Sequence, residues 1–375
     1  MFTADEKEAR HRAFRKILQD EGLRAILLIG DTNVGPAFNG DLRYYTNNRV
    51  PFYRQLVVVF PDSEPVLFAW NAVQRQSAAL RSFVSDCRQG ENIIGAAAQL
   101  LKERGISTGK IGISFEVLST AWYLYLKQEL PQIEWVEAHD KIMGIRTKRS
   151  QEEALIFRRG AALGDGGYEA ALRFIRPGVS EYEIAAEIEH FARARGAEDH
   201  FTLIGSGKFP FGYSSTLPLS YPSSRRLEPG DIVAMEITPR HEGYWTQLVR
   251  TITLGKPGNE LEQIQKVCVD AIKKGLEQFG PGKRVKDAVL AMESYVKDRA
   301  YRLILPVGHV CGVDLSEALV TFQNEMVLTP GTAVIVHPTV STPDGKYTLF
   351  WGETYLITGD GYERLHRAGD ELHTL

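Results

Sequence analysis

The chain has 375 residues, too many for one ordinary hydrophobic core, so two domains are expected. Its 43% hydrophobic and 24% charged residues are those of a globular protein, and a net charge of −3 gives no electrostatic footing for nucleic acid or an anionic membrane. No apolar run reaches the roughly 20 residues of a membrane helix, and the charged start MFTADEKEARHRAFRK lacks a signal core.

Residues 4–22 form a charged amphipathic pattern that Gly22 ends. A short apolar strand at 24–29 and a loop-like stretch at 31–40 follow. Gln55–Phe60 and Pro65–Trp70 read as strands, and Leu42–Thr46 (LRYYT) precedes them. Helices are expected at 91–104 and 118–129, with a strand at 110–114 between them. This alternation describes an α/β domain with a mixed sheet, 1–145. It carries neither GxGxxG after a strand nor GxxxxGK[ST], so nucleotide binding has no motif here. Arg49, Phe52, Tyr53 and Arg54 make a basic–aromatic cluster in a turn, read as plain surface or as a ligand contact. The three cysteines, Cys87, Cys268 and Cys311, lie far apart, which suits a reducing cytoplasm and no disulfide framework.

The second domain, 146–375, opens with a capping box, Ser150 with Glu153. Its helix runs to about Phe174, weakened by Gly164, Gly166 and Gly167, and stops at Pro177-Gly178. A second box, Ser180 with Glu183, opens a helix to about Arg195. A strand at 201–204 leads to the turn Glu228-Pro229-Gly230-Asp231 and then to a hairpin. Ile232–Thr238 alternates, with Val233, Met235 and Ile237 on one side and Ala234 and Glu236 on the other. Residues 239–243 are expected to form the loop and 244–252 the return strand. Gln247 is expected within about one residue of facing Glu236. A carboxylate in an apolar strand is costly unless paired or coordinated, so Glu236 is either a hydrogen-bonded core residue or part of a site. Helices at about 259–279 and 285–298 and β-rich pieces near 303–313, 332–340 and 347–358 complete the chain. Polar residues interrupt these strands: His309 between glycines, His337 at the end of Ala333-Val334-Ile335-Val336, and Glu353 in Leu349–Tyr355.

The order of these motifs resembles a known family. PGD followed by a hairpin GYW-T-Q-L-V-RT, then GH-x-x-G-x-D, then PG-x-x-x-x-V-x-P and ET-x-L-I-T is similar to the pita-bread fold of methionine aminopeptidase, aminopeptidase P, prolidase and creatinase, over about 150–370. Residues 1–140, with LRYYT, resemble the N-terminal domain of the creatinase branch. The resemblance implies an α+β chain: a C-terminal antiparallel sheet with flanking helices behind an N-terminal α/β domain.

The departures carry the functional expectation. The family's metallopeptidases hold two metal ions on two aspartates, a histidine and two glutamates. Matched by position, the aspartates become Glu236 and Gln247, the histidine stays as His309, the first glutamate becomes His337, and the last falls at Gly352 beside Glu353. A substrate-side histidine becomes Leu219, and another becomes Ser316 beside Glu317. Two bridging carboxylates are lost, and cations ~3.5–4 Å apart need such bridges. The resemblance then implies one divalent ion (Fe, Mn or Zn) on Glu236, His309 and His337 with Gln247 as a weak fourth ligand, or no metal at all, as in creatinase. Glu353 and Glu317 are the candidates for moving protons. Arg54 and Phe52 match residues which that branch uses near a substrate carboxylate, contributed across a homodimer. Tyr244 and His241, beside the hairpin turn, are further substrate-contact candidates. The expected activity is cleavage of a C–N or related bond in a small amino-acid-like or guanidino-like compound, not general dinuclear aminopeptidase action. An iron-dependent oxidase or oxygenase and a catalytically inactive binding module are the competing classes.

Overall fold

The computed structural model describes residues 2–31, 40–50, 52–208 and 219–375, which fall into two compact units, Met1–Thr147 and Lys148–Leu375. The loop-like stretch 32–39 and Thr216-Leu217-Pro218 lie outside the described residues.

In the first unit α1 (Ala4–Asp20), β1 (Leu23–Asp31), α2 (Gly40–Thr46), β2 (Arg54–Val59) and β3 (Val66–Ala69) come first. Then follow α3 (Ala72–Arg81), β4 (Asp86–Gln89), α4 (Ile93–Glu103), β5 (Gly109–Ile113), α5 (Thr120–Glu129), β6 (Ile133–Glu137) and α6 (His139–Arg146). The strands lie in the order β4-β3-β2-β1-β5-β6, with β1/β2 and β2/β3 antiparallel and the other pairs parallel. This is the mixed sheet expected. Ala25, Leu27 and Ile29 of β1 pack with Ala97, Ala98 and Leu101 of α4 and Leu126 of α5 into one buried cluster. The sequence reading omitted the helices α2, α3 and α6 and the strands β4 and β6; β4 reads DCRQ, without an apolar face to mark it.

The second unit opens with α7 (Gln151–Phe174) and α8 (Glu181–Arg193), each started by the capping box read from sequence. The glycines of α7 do not break it. A Cβ at Gly166 would lie 2.1 Å from the Phe191 ring, and one at Gly167 3.1 Å from Ile188. They let α8 approach α7 closely, so tertiary packing offsets their poor propensity. After β7 (Ala197–Gly207) comes the hairpin of β8 (Ile232–His241), β9 (Tyr244–Trp245) and β10 (Leu248–Thr253). Its loop is only Glu242 and Gly243, both at positive φ (45° and 94°), the conformation of a tight two-residue turn. Helices α9 (Asn259–Leu276) and α10 (Val285–Lys297) follow. Then come β11 (Arg302–Ile304), β12 (Gly308–Cys311), β13 (Ala318–Leu319), β14 (Ala333–Val336), β15 (Thr339–Ser341), β16 (Thr348–Phe350) and β17 (Gly352–Ile357).

The main sheet runs β13-β12-β14-β17-β10-β8-β7, and every neighbouring pair in that path is antiparallel. One face is covered by helices. Val233, Met235, Ile237, Leu248 and Ile252 cluster with Ile184 and Ile188 of α8. Val310, Val334, Val336 and Tyr355 cluster with Ile264, Cys268 and Ile272 of α9 and Val289 and Met292 of α10. Because side chains alternate, the residues between these point to the opposite face, here termed the open face, where Glu236 and His337 keep part of their surface although Val249, Ile335 and Thr354 are buried. No helix among the described residues is long and apolar enough to cross a membrane.

Gly308 shows how tightly β12 and β14 meet. Its φ is +147°, and a Cβ there would lie 2.0 Å from the Ile335 carbonyl oxygen, a main-chain atom that cannot swing aside. Gly308→Ala is therefore expected to destabilise the protein by more than about 2 kcal/mol, read as a lower urea midpoint.

Candidate active site

The register of the main sheet decides which polar side chains meet. Glu236 pairs with Val249 and Leu203, and Val249 pairs with Gly352. Thr354 pairs with Ile335, and Ile335 with His309. All of these lie on the open face. The two-residue turn therefore sets Val249, not Gln247, opposite Glu236, two residues from the expectation. Gln247 reaches Glu236 on the diagonal, and its amide Nε2 donates to Glu236 Oε1 at 2.8 Å and to Thr238 Oγ1 at 3.1 Å. The main chain of Gln247 is fixed as well. Its N–H donates to Thr354 Oγ1 at 2.8 Å, and that hydroxyl donates to the Gln247 carbonyl at 3.1 Å. Thr238 and Thr354 were missed from sequence. Period-two counting from a two-residue turn would have found Thr238, whereas Thr354 emerges only from the pairing of distant strands.

Glu236 keeps part of its surface on the open face. Burial of its carboxyl raises the pKa to about 7. Gln247 is its one partner among the described residues.

His309 and His337 do come together. Their ring centroids lie 5.2 Å apart in an edge-to-face arrangement, and Phe350 of β16 packs edge-on to His337 at 4.8 Å. Burial lowers His309 to about 4. Burial and the neighbouring His309 lower His337 to about 3, so both imidazoles are neutral at neutral pH. Nδ1 of each ring is buried without a hydrogen-bond partner among the described residues. Beside them the main chain is pinched. A Cβ at Gly352 would lie 2.0 Å from the Val336 carbonyl oxygen and 2.5 Å from His337 Cα. A carboxylate side chain at 352 would have to displace backbone.

These contacts do not match the ligand set expected for one metal ion. Gln247 turns an N–H, not an oxygen, towards Glu236, so a cation bridging the two would face a hydrogen-bond donor. Among the described residues no three His, Cys, Asp or Glu side chains are placed to hold a metal ion.

The other candidates are occupied elsewhere. Glu353 pairs with Leu248 and Val336, which puts it on the helix-covered face, away from Glu236. There it is 2% exposed and held by Arg250, by Arg364 and by the Tyr355 hydroxyl at 2.9 Å. Burial alone would raise its pKa, but the Arg250 charge and the Arg364 hydrogen bond outweigh burial and hold it below the ordinary carboxylate value. Glu317 is buried against Arg149, which also donates to the Cys311 carbonyl at 2.9 Å. The Tyr244 hydroxyl donates to Glu153 Oε1 at 2.6 Å, within the capping box of α7. The His241 imidazole Nδ1 lies 3.2 Å from the Gly196 carbonyl, at the turn. Within the first unit Arg54 donates to Asp31 at 2.5 Å and stacks on Trp122 at 4.7 Å, while Phe52 is 44% exposed. Leu219 follows directly on the undescribed stretch and is half-buried.

Glu353 thus reads as structural, and the assignment is testable. Glu353→Ala leaves Arg250 buried without its carboxylate and is expected to lower stability by about 3–5 kcal/mol. Denaturant unfolding checks this. A proton-shuttling Glu353 would instead show lost turnover at unchanged stability.

The comparisons with known proteins agree with this architecture. The model of metallopeptidase family M24 matches residues 156–359, and that of the creatinase/prolidase N-terminal domain matches 10–148. A creatinase from Bacillus sp. (strain B-0618) is 26% identical over 371 residues, covering 92% of this chain and 86% of its own. A Xaa-Pro dipeptidase from Pyrococcus horikoshii is 28% identical over 253 residues, covering 66% of this chain and 70% of its own. Among solved structures, the X-Pro aminopeptidase from Thermotoga maritima superposes with a TM-score of 0.86 at 18% identity, covering 97% of this chain and 99% of its own. With both domain models matched in order and the same two-unit fold, the chain belongs to metallopeptidase family M24, in its creatinase/prolidase-type arrangement.

Proposed function

We propose that this chain is a hydrolase that cleaves a C–N or related bond in a small amino-acid-like or guanidino-like compound, and that it does so without a paired-metal centre. The observation behind this reading is the hydrogen bond from Gln247 Nε2 to Glu236 Oε1, which engages two of the four side chains of the expected ligand set with each other. The kinship with a creatinase along most of both chains points the same way on substrate class. Glu236 is the carboxyl of the open face that takes up or gives a proton, and a group poised near neutrality suits that exchange. Neutral His309 and His337 orient the substrate by hydrogen bonds and exclude water from one side of it.

A single-metal reading has one observation in its favour, the adjacency of His309 and His337. Elemental analysis of the purified protein, combined with a substrate panel, separates the two. We expect metal well below one ion per chain, no manganese- or cobalt-dependent hydrolysis of Xaa-Pro dipeptides, and chelator-insensitive hydrolysis of a small amide or guanidino compound. One tightly held ion per chain, with activity abolished by chelation, would sink the metal-free reading. Strong Xaa-Pro dipeptidase activity would sink the substrate class.

The environment of Glu236 also predicts a pH dependence. Its folded-state pKa of about 7 lies above the ordinary 4.5, so folding favours the protonated form. Below about 4.5 both states are protonated and the residue is neutral to stability. As pH rises towards about 7 the unfolded chain ionises first and stability is lost. Wild-type protein should therefore lose stability relative to Glu236→Gln between those values, then level off. A constant difference across that range in denaturant titrations would contradict the buried carboxyl.

A further inference from the structure

We propose that residues 365–374 form a strap across the helix-covered side of the main sheet, that this strap lifts as a unit without global unfolding, and that its docking holds Gln247 in place through Thr354. The strap is a conformational device behind the open face, and it stands whichever compound is cleaved there.

Polar groups, rather than buried apolar surface, fasten the strap. Leu365 and His366 are buried, but from Arg367 to Leu375 no residue is, and only Ala368, Asp370 and Leu372 are half-buried. Most of the bonds go to its main chain. Arg250 of β10 donates from Nε to the Gly369 carbonyl at 2.9 Å and from Nη2 to the Ala368 carbonyl at 3.0 Å. Asp165 of α7 accepts the Arg367 N–H at 2.9 Å and lies 3.0 Å from His366 Nδ1. Gln265 of α9 donates to the Asp370 carbonyl. His373 and Thr374 then run parallel beside Ile252 and Thr253 of β10. A segment with few buried apolar groups and accessible hydrogen bonds is a low-stability unit of a fold and opens before the core does.

Room for this opening exists on both sides. A cleft of about 200 Å³ lies between the strap and α9, with Ile272, Trp351, Arg364 and Asp370 in its lining. Another of about 220 Å³ lies between the strap and α7, with Asp165, Tyr168, Gly369 and Glu371 in its lining.

Thr354 ties the strap to the open face. Its carbonyl accepts the Leu365 N–H at 3.2 Å, where the strap begins. Its hydroxyl holds both main-chain groups of Gln247, whose amide donates to Glu236. Under the strap Arg250 is 1% exposed and pairs with Glu353, the residue before Thr354. Lifting the strap removes two of the four carbonyls to which Arg250 donates, and it frees Thr354 from Leu365. Both changes fall on β10 and β17, the strands that join at Gln247 and Thr354.

The test is hydrogen exchange of the intact protein, followed amide by amide in rising urea below the unfolding midpoint. The Leu365 and Arg367 amides are expected to exchange at least a hundredfold faster than those of β12 and β14, relative to their intrinsic rates, and with a shallower urea dependence. The Gln247 amide is expected to follow the strap's curve and not that of β12 and β14. Asp165→Ala removes the acceptor of the Arg367 N–H and should speed exchange of the strap and of Gln247 at least tenfold. Gln265→Ala, a milder change on α9, should speed both at least threefold and guards against misfolding of the first variant. Strap amides that share the urea dependence of β12 and β14 would show that no separate strap exists. A Gln247 amide that follows β12 and β14 would remove the link through Thr354. Unchanged strap exchange in folded Asp165→Ala and Gln265→Ala proteins would show that these bonds do not fasten it.

Discussion

The continuous antiparallel register of the main sheet is the constraint on which the rest of the second unit depends. It starts from the two-residue turn at Glu242-Gly243, which pairs His241 with Tyr244 and hence Glu236 with Val249. From there it passes through Gly352 and its neighbour Thr354 to Ile335 and His309. Since side chains alternate, a slip of one residue would exchange the open face for the helix-covered one along the slipped strand. The two helix pairs oppose any slip, because it would turn Val233, Met235 and Ile237, or Val334 and Val336, out of their clusters.

That constraint sorts the charged groups into two kinds. On the helix-covered face Glu353 is buried and held by two arginines and a tyrosine hydroxyl. Removing either side of such a network leaves a buried charge uncompensated, so it fixes the packing of β10, β17 and the C-terminal segment. On the open face Glu236 has an amide for company and keeps part of its surface accessible. The same residue type is tied down in one place and left responsive in the other, and the difference is the partner that the sheet brings to it.

The departures from the family's metal-ligand pattern form one physical picture. Gln247 supplies an N–H beside Glu236, and the hydrogen bond offsets part of that carboxyl's burial. With no side chain at Gly352, the ends of β14 and β17 draw together until the Val336 carbonyl and His337 Cα fill the space. His337 then packs between His309 and Phe350, where a neutral imidazole costs far less to bury than a carboxylate.

The sequence by itself determined what depends on neighbours along the chain. The capping boxes at Ser150 and Ser180, the alternation in β8 and the order of motifs were all legible, and through them the two-domain family fold, whereas the hairpin turn, expected as a loop over 239–243, is only Glu242-Gly243. Local chemistry suffices for the former, because caps and periodicity act over a few residues. It did not suffice for short polar-edged elements such as β4, nor for what each site residue does. Glu353 was read as a proton carrier because its strand position was visible and its face was not. Gln247 was read as a metal ligand because its type was visible, whereas its side-chain amide is turned by Glu236 and Thr238 and its main chain is held by Thr354. Tertiary structure decided these points, since a side chain's face, partner and charge state depend on which strands pair and in what register, some of them from more than a hundred residues away.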